Sequence, residues 1–175
     1  MSDQQEWTCT SKLVVLSSEV WACGAFIPEH VHSAIRSHEI DRLWCELNEK
    51  EKFSCALMPG GENSWFININ KERQKKLKIQ PGDDVTLRLT PNTSKYGMEI
   101  SEEFEELLSQ DEEGSHYFHQ LTPGKQRNLI YIATKPKSSE VRLKKSLVIL
   151  NYLTSVQGKL DFRALNEALK QANKS

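Results

Sequence analysis

The clearest pattern in the chain lies between Ser64 and Pro91. Trp65, Ile67 and Ile69 alternate with Phe66, Asn68 and Asn70, the two-residue period of a strand with one face on a core. Asn70 offers a helix cap, and Lys71 to Leu77 has room for two turns. Pro81-Gly82 marks a tight turn, because proline presets one dihedral and glycine accepts the left-handed one. Val85, Leu87 and Leu89 then resume the alternation, with Thr86 and Arg88 between them. The stretch reads as strand, short helix, turn, strand.

The same order of apolar positions occurs 42 residues earlier. Ile69 corresponds to Ile27 and Leu77 to Ile35, while Val85, Leu87 and Leu89 correspond to Leu43, Cys45 and Leu47. Trp65 and Ile67 correspond to Cys23 and Ala25, and Cys55 and Leu57 to Leu13 and Val15. The match is one of pattern, since Arg73 corresponds to Val31. A duplicated unit whose halves bury their apolar sheet faces against each other implies a small barrel carrying short helices.

Read in order, Trp7 to Leu16 alternates through Cys9, Ser11, Leu13 and Val15 as a first strand, and Trp21 to Ile27 follows as a second. Pro28 opens a short helix with Val31 and Ile35 inward. Arg42 to Leu47 and Phe53 to Met58 are further strands, and Pro59, Gly60 and Gly61 form a hairpin loop. After Pro91 the composition turns to loop and then to helical period, which places a domain boundary near Tyr96 and Gly97 and so predicts domains over residues 1–96 and 97–175. Ser101 caps a helix carrying Phe104, Leu107 and Leu108, which Gly114 interrupts. His116 to Leu121 forms one or two turns. Thr122 caps the next helix with Pro123 first, and Leu129, Ile130 and Ile132 are its apolar part; Pro136 ends it. Ser138 or Ser139 caps a longer helix with Leu143, Leu147, Val148 and Leu150 inward, stopped by Gly158. Asp161 caps a last one with the stripe Phe162, Leu165 and Leu169.

Composition narrows the classes. The 175 residues make one large domain or two small ones, and 38% hydrophobic residues suffice for a core. A formal net charge of -1 supplies no global field for nucleic acid or membranes, and no apolar run reaches 18 residues. The opening MSDQQEWTCTSK lacks the basic and apolar parts of a signal peptide, so a cytoplasmic protein is expected. Cysteines 9, 23, 45 and 55 form no CxxC pair and sit in strand-like sequence, which predicts buried free thiols.

Charge is segregated in the second part. Glu99 to Glu113 holds eight acids and no base, whereas Lys125 to Lys145 holds seven bases and one acid, Glu140. The basic set Lys125, Arg127, Lys135, Lys137, Arg142, Lys144 and Lys145, with Glu140 among them, suits a surface for phosphates or an acidic partner, or else a solvated face that balances the acidic helix. A second basic cluster comprises Lys71, Arg73, Lys75, Lys76 and Lys78, with Asp83 and Asp84 reducing its local field. His30-x-His32 and His116-x-x-His119 supply two ligands each and no cysteine, too few for a zinc site. No GxGxxG, GxxxxGK or GxSxG sequence occurs, so neither a cofactor nor a catalytic residue is assigned. Trp7, Trp21, Trp44 and Trp65 all fall in the strand-rich part and are expected in packing.

Three short stretches bear a family resemblance: Phe26-Ile27-Pro28, Phe53 to Leu57, and Lys78 to Val85. On them residues 7–90 resemble the bacterial domain of unknown function numbered 1905. Residues 100–153 resemble the YdeI/OmpD-associated family, also called bacteriocin-protection proteins, on Ile100, Phe104, Leu107, Leu108, Phe118, Leu121, Pro123, Arg127, Tyr131-Ile132, Lys135, Glu140, Arg142, Lys145 and Leu150. That family usually carries Glu-Thr-Arg where this chain has Glu140-Val141-Arg142, a lost hydroxyl. The resemblance implies an α+β protein: a double-split barrel similar to that of the AbrB and MazE group, with two similar halves, followed by a small all-helical domain. It implies no established activity. The expectation is therefore a non-enzymatic binding or interaction module, linked to stress or bacteriocin tolerance by family name alone. It is expected to be a monomer or weak homodimer away from membranes, with a protein or small-molecule partner. Nucleic-acid binding through the basic surfaces, and a small-ligand binder or enzyme with a pocket between the domains, are the alternatives.

Overall fold

The computed structural model describes residues 5–16 and 23–174 of the chain. It divides into two compact units, Met1–Thr93 and Ser94–Ser175.

The first unit is a seven-stranded antiparallel, curled half-barrel sheet with two short helices. Its elements are β1 (Trp7–Val15), β2 (Cys23–Ile27), α1 (Glu29–Ser37), β3 (Leu43–Leu47), β4 (Glu51–Cys55), β5 (Met58–Gly61), β6 (Ser64–Asn68), α2 (Lys71–Leu77) and β7 (Asp84–Pro91). The spatial order is β4-β3-β7-β1-β2-β6-β5, so the two ends of the order are consecutive in the chain, separated by Ala56 and Leu57. Alternate residues of the strands face one core: Leu13, Ala25, Ile27, Leu43, Cys45, Leu47, Ile67, Val85, Leu87 and Leu89 are buried there, and Val31 and Ile35 of α1 and Ile69 join them. Asn70 caps α2 by accepting from Arg73 N at 2.8 Å, and Gly82, at φ +99°, completes the turn after Pro81.

The strand registers carry the internal repeat. Shifting both members of a pair by 42, in opposite directions, turns Cys45↔Leu89 into Leu47↔Leu87 and Gly24↔Asn68 into Phe26↔Phe66, all of them observed pairs. The first strand needs a different offset. Cys9↔Leu87 matches Phe53↔Cys45, and Val14↔Gly24 matches Met58↔Phe66, only if β1 is moved by 44. Leu57 is thus the counterpart of Leu13, and Cys55 that of Ser11, rather than the pairing at a constant 42. The cause is a connection from Val15 to Cys23 that is two residues longer than the one from Pro59 to Trp65. In this correspondence β4 and β5 together replace the single strand β1.

Three expectations for this unit change. Val15 is 70% exposed, because it lies at the end of β1, beyond the last inward position at Leu13. Phe53 to Met58 is not one strand: pairing with β3 stops at Cys55, and Met58 starts β5 against β6. Pro59 to Gly61 belongs to β5, and the hairpin turns at Glu62-Asn63, both at positive φ as a primed turn requires. Trp21 lies outside the described residues.

The second unit is helical: α3 (Glu102–Gln110), α4 (Glu112–Gln120), α5 (Pro123–Thr134), α6 (Ser139–Ser155) and α7 (Phe162–Lys174). The caps are Ser101, Asp111, Thr122, Ser138 and Asp161, each accepting from a backbone N–H three residues on. Helix α6 is the central element and contacts the other four. Its inward face is Ser146, Ile149, Leu150 and Leu153, not the expected Leu143 and Leu147, which are each 42% exposed. Neighbours on several sides centre the buried face on Ser146, whose hydroxyl donates to Arg142 O at 2.7 Å and so loses no hydrogen bond. Gly114 does not interrupt a helix. It lies in the first turn of α4, where a β-carbon would stand 3.1 Å from Leu150 Cβ and 2.5 Å from Asp111 Oδ2.

Candidate anion-binding groove

The expected basic surface of the helical unit does not stay together as one face. Arg142 turns inward. Its Nε donates to Glu103 Oε2 at 3.0 Å and its Nη2 to Glu103 Oε1 at 2.9 Å, a bidentate pair between α6 and α3. Its Nη1 donates to the carbonyls of Pro136 and Lys137 at 3.0 and 2.7 Å. The Arg142 guanidinium and then the Ser139 hydroxyl, both bonded to Glu103, hold that carboxyl down to about 2, and Glu103 raises the arginine in turn. The side chains are only 24% and 15% exposed. Arg142 therefore fastens the loop between α5 and α6 and is committed to the fold.

That loop presents two lysines of the set. Lys135 and Lys137 flank Pro136 at the end of α5, and Lys145 lies one turn beyond Arg142 on α6. With Lys170 of α7 they line a groove of about 730 Å³. Its apolar lining includes Tyr131, Ile132, Pro136, Val141 and Leu169, and Asn166 and Asn173 of α7 add amides. Among the described residues no carboxylate lines it. Tyr131 is 51% exposed and carries the Lys135 ammonium 5.2 Å from its ring centroid. Of the eight residues expected at this surface, Lys135, Lys137 and Lys145 line the groove, while Lys125, Arg127, Glu140, Arg142 and Lys144 do not. Sequence reading missed Asn166, Lys170 and Asn173. Their spacing of four and three places them on one face of α7, beside its buried residues Leu165 and Leu169.

In the strand-rich unit the cluster on α2 is also divided. Arg73 lies over the Phe53 ring at 3.8 Å, with its Nε 3.6 Å from Glu51, and Lys76 is 3.8 Å from the same carboxylate. Lys71, Lys75 and Lys78 are exposed. The sheet surface holds a smaller polar hollow of about 240 Å³ around Trp44, Glu46, Lys52 and Arg88, where Arg88 Nη2 is 2.7 Å from Glu46.

The cysteines are largely buried, whereas His30, His38, His116 and His119 are exposed. His119 Nε2 is 2.9 Å from the Tyr96 hydroxyl, and His116 Nε2 is 3.1 Å from Gln120 Nε2. His32 stacks on Trp65 at 4.6 Å, and its loss of solvent, followed by Arg36, lowers its pKa. The described residues hold no group of three or more metal-ligating side chains. Cys9, Cys23 and Cys45 are buried and Cys55 is partly so, all as free thiols. Burial raises the Cys9 pKa; the hydrogen bond with Cys55 and then burial raise that of Cys45, which leaves both poorly suited to act as thiolates.

Residues 12–89 match the family of domains of unknown function DUF1905, and residues 97–154 match OmdA, described as bacteriocin-protection, YdeI or OmpD-associated. The chain thus carries a DUF1905 match followed by an OmdA match. The order is the one its residues suggested, β1 to β7 carrying the first match and α3 to α6 the second. No curated protein matches the chain. Helix α7, which supplies Asn166, Leu169, Lys170 and Asn173 to the groove, lies beyond the OmdA match. No helix among the described residues is long and apolar enough to cross a membrane.

Proposed function

We propose that the protein is a non-catalytic, cytoplasmic binding module whose helical unit takes an anionic partner in the lysine-rimmed groove. The observation that carries this reading is the convergence of Lys135, Lys137, Lys145 and Lys170, from the end of α5, from α6 and from α7, on one cavity with no lining carboxylate among the described residues. The carbonyls of Pro136 and Lys137, which would repel an anion there, already accept from Arg142. The strand-rich unit is read as the scaffold, a double-split barrel of the AbrB kind. In support, the pseudo-symmetric registers let β4 and β5 substitute for one strand, and joining them would close the strand order into a ring. A link to bacteriocin or stress tolerance rests on the OmdA family description alone.

The test is a titration of labelled anionic probes, an oligoglutamate peptide and short DNA and RNA, at low and physiological salt, alongside small anionic amphiphiles. Wild-type protein is compared with Lys145→Gln/Lys170→Gln. Salt-sensitive binding of at least one probe that the double variant loses supports the reading. Absence of binding by every probe at low salt, or binding indifferent to the variant, overturns it. The nucleic-acid reading draws on the exposed Lys71, Lys75 and Lys78, and predicts binding that survives the groove variant but not their replacement.

A further inference from the structure

We infer that the occupant of the groove is a small anionic amphiphile, with one carboxylate or phosphate head among the lysines and an aliphatic or aromatic body on Tyr131, Ile132 and Val141. This inference rests on the binding reading above and names its ligand class.

Size is the first argument. A cavity of about 730 Å³ lies within the usual range for small-molecule sites. A protein partner engages roughly 20–30 residues a side, well beyond the lining of this groove. Surface chemistry is the second. Tyr131 and Val141 are among the few large apolar side chains left exposed, at 51% and 39%, and both line this one groove. A purely ionic ligand would leave them wet, while a purely apolar one would desolvate ammonium groups without compensation. An amphiphile answers both.

The cations specify the head loosely. Lysine is a mobile point charge without the planar fork of arginine, so it accepts carboxylate and phosphate alike. The nearby arginine, Arg142, is spent on Glu103 and the loop carbonyls. Lys170 pairs with Glu167 at 3.1 Å, but those side chains are 68% and 61% exposed, and such a pair yields readily to an incoming anion. Asn166 and Asn173 can bond a carbonyl or hydroxyl next to the head.

The experiment uses the full chain and the fluorescence of 1-anilinonaphthalene-8-sulfonate, an anionic aromatic probe, against N-phenyl-1-naphthylamine, its uncharged relative. Dodecanoate and dodecyl phosphate, below their micelle concentrations, serve as competitors. The expected result is one saturable site for the anionic probe, displaced by at least one competitor. Lys145→Gln/Lys170→Gln weakens it at least tenfold and changes the neutral probe less than twofold; Lys145→Arg/Lys170→Arg restores the wild-type affinity. Circular dichroism at 222 nm checks each variant for its fold. Displacement by the carboxylate alone, the phosphate alone or both assigns the head and supports the inference. Equal binding of the charged and uncharged probes, failure of both competitors, or a lysine variant within twofold of wild type overturns it. If amphiphiles fail but the oligoglutamate peptide binds with the same lysine dependence, this inference falls and the binding reading stands.

Discussion

Phe118 is the side chain whose removal tests the account of the helical unit most directly. It is fully buried on α4, with its ring edge-on to Phe104 at 5.4 Å and 81° and to Tyr96 at 5.8 Å and 73°. Replacement by alanine takes away a buried aromatic surface and leaves a cavity, a loss of about 3–5 kcal/mol. The aromatic contacts account for roughly 0.5–1.5 kcal/mol of burial-independent attraction per pair. A compact unit spanning Ser94–Ser175 has a stability of about 4–12 kcal/mol at the usual value per residue. Phe118→Ala should therefore remove at least a quarter of it, and at the weak end unfold the unit. Phe118→Leu keeps much of the volume and should lose about 1–2 kcal/mol. The chain carries convenient reporters: tryptophans 7, 21, 44 and 65 belong to the first unit and tyrosines 96, 117, 131 and 152 to the second. Urea unfolding followed at 222 nm and by tyrosine emission, with tryptophan emission in parallel, gives the midpoints. With a urea slope of roughly 1–3 kcal/mol/M, the alanine variant should move the helical transition down by at least about 1 M. A shift below about 0.3 M, or a leucine variant as damaging as alanine, would refute the packing described for this core.

Further outcomes follow from other sites. The depressed Glu103 carboxyl contributes stability that is present above its unfolded value near 4.5 and lost as pH falls through about 2. Thermal melts between pH 6 and 2 should show this acid-labile contribution in the wild type and its absence in Glu103→Gln. At Gly24 a β-carbon would meet Phe66 Cδ2 at 2.7 Å and Leu16 Cδ1 at 3.1 Å; Phe66 is buried, so Gly24→Ala should lose about 1–3 kcal/mol in urea unfolding read by tryptophan emission. Lys78 ends α2 at φ 55°, so Lys78→Gly should raise the melting temperature slightly or leave it unchanged, whereas Asn70→Ala at the other end should cost about 1 kcal/mol.

What could be read from residues was local. Asn70, Ser101, Thr122 and Asp161 announce helix starts because a cap and its N–H lie three positions apart, and the strands around Ile67 and Leu87 announce themselves by alternation. The errors arose where a distant neighbour decides. Leu143 and Leu147 make as regular a stripe as Ile149, Leu150 and Leu153, and only the placement of four other helices selects between them. Gly114 looks like a break until the approach of Leu150 is known. The partner of Arg142 is 39 residues away on α3, with several equivalent glutamates around it. The groove was half visible as a run of lysines, but Lys170 and the asparagines of α7 join it only through the packing of that helix beside α5 and α6.

The pairing of β1 with β7 has a consequence for how the protein is made. Trp7 meets Leu89 and Lys12 meets Asp84, separations of 72 to 82 residues. As the ribosome releases the chain, the Leu13–Val15 end of β1 finds a nearby partner in β2, while Trp7–Lys12 waits for β7, the last of these strands to emerge. Meanwhile β3 and β4, then β2 and β6, can assemble over shorter distances. Closing so long a loop is entropically unfavourable until β7 arrives, which makes this step a natural bottleneck in folding. During that interval Cys9, the inward residue of the waiting stretch, lacks its partner Leu87. A nascent chain stalled before Asp84 should be a client for chaperones that hold apolar strands, and one stalled after Pro91 should not.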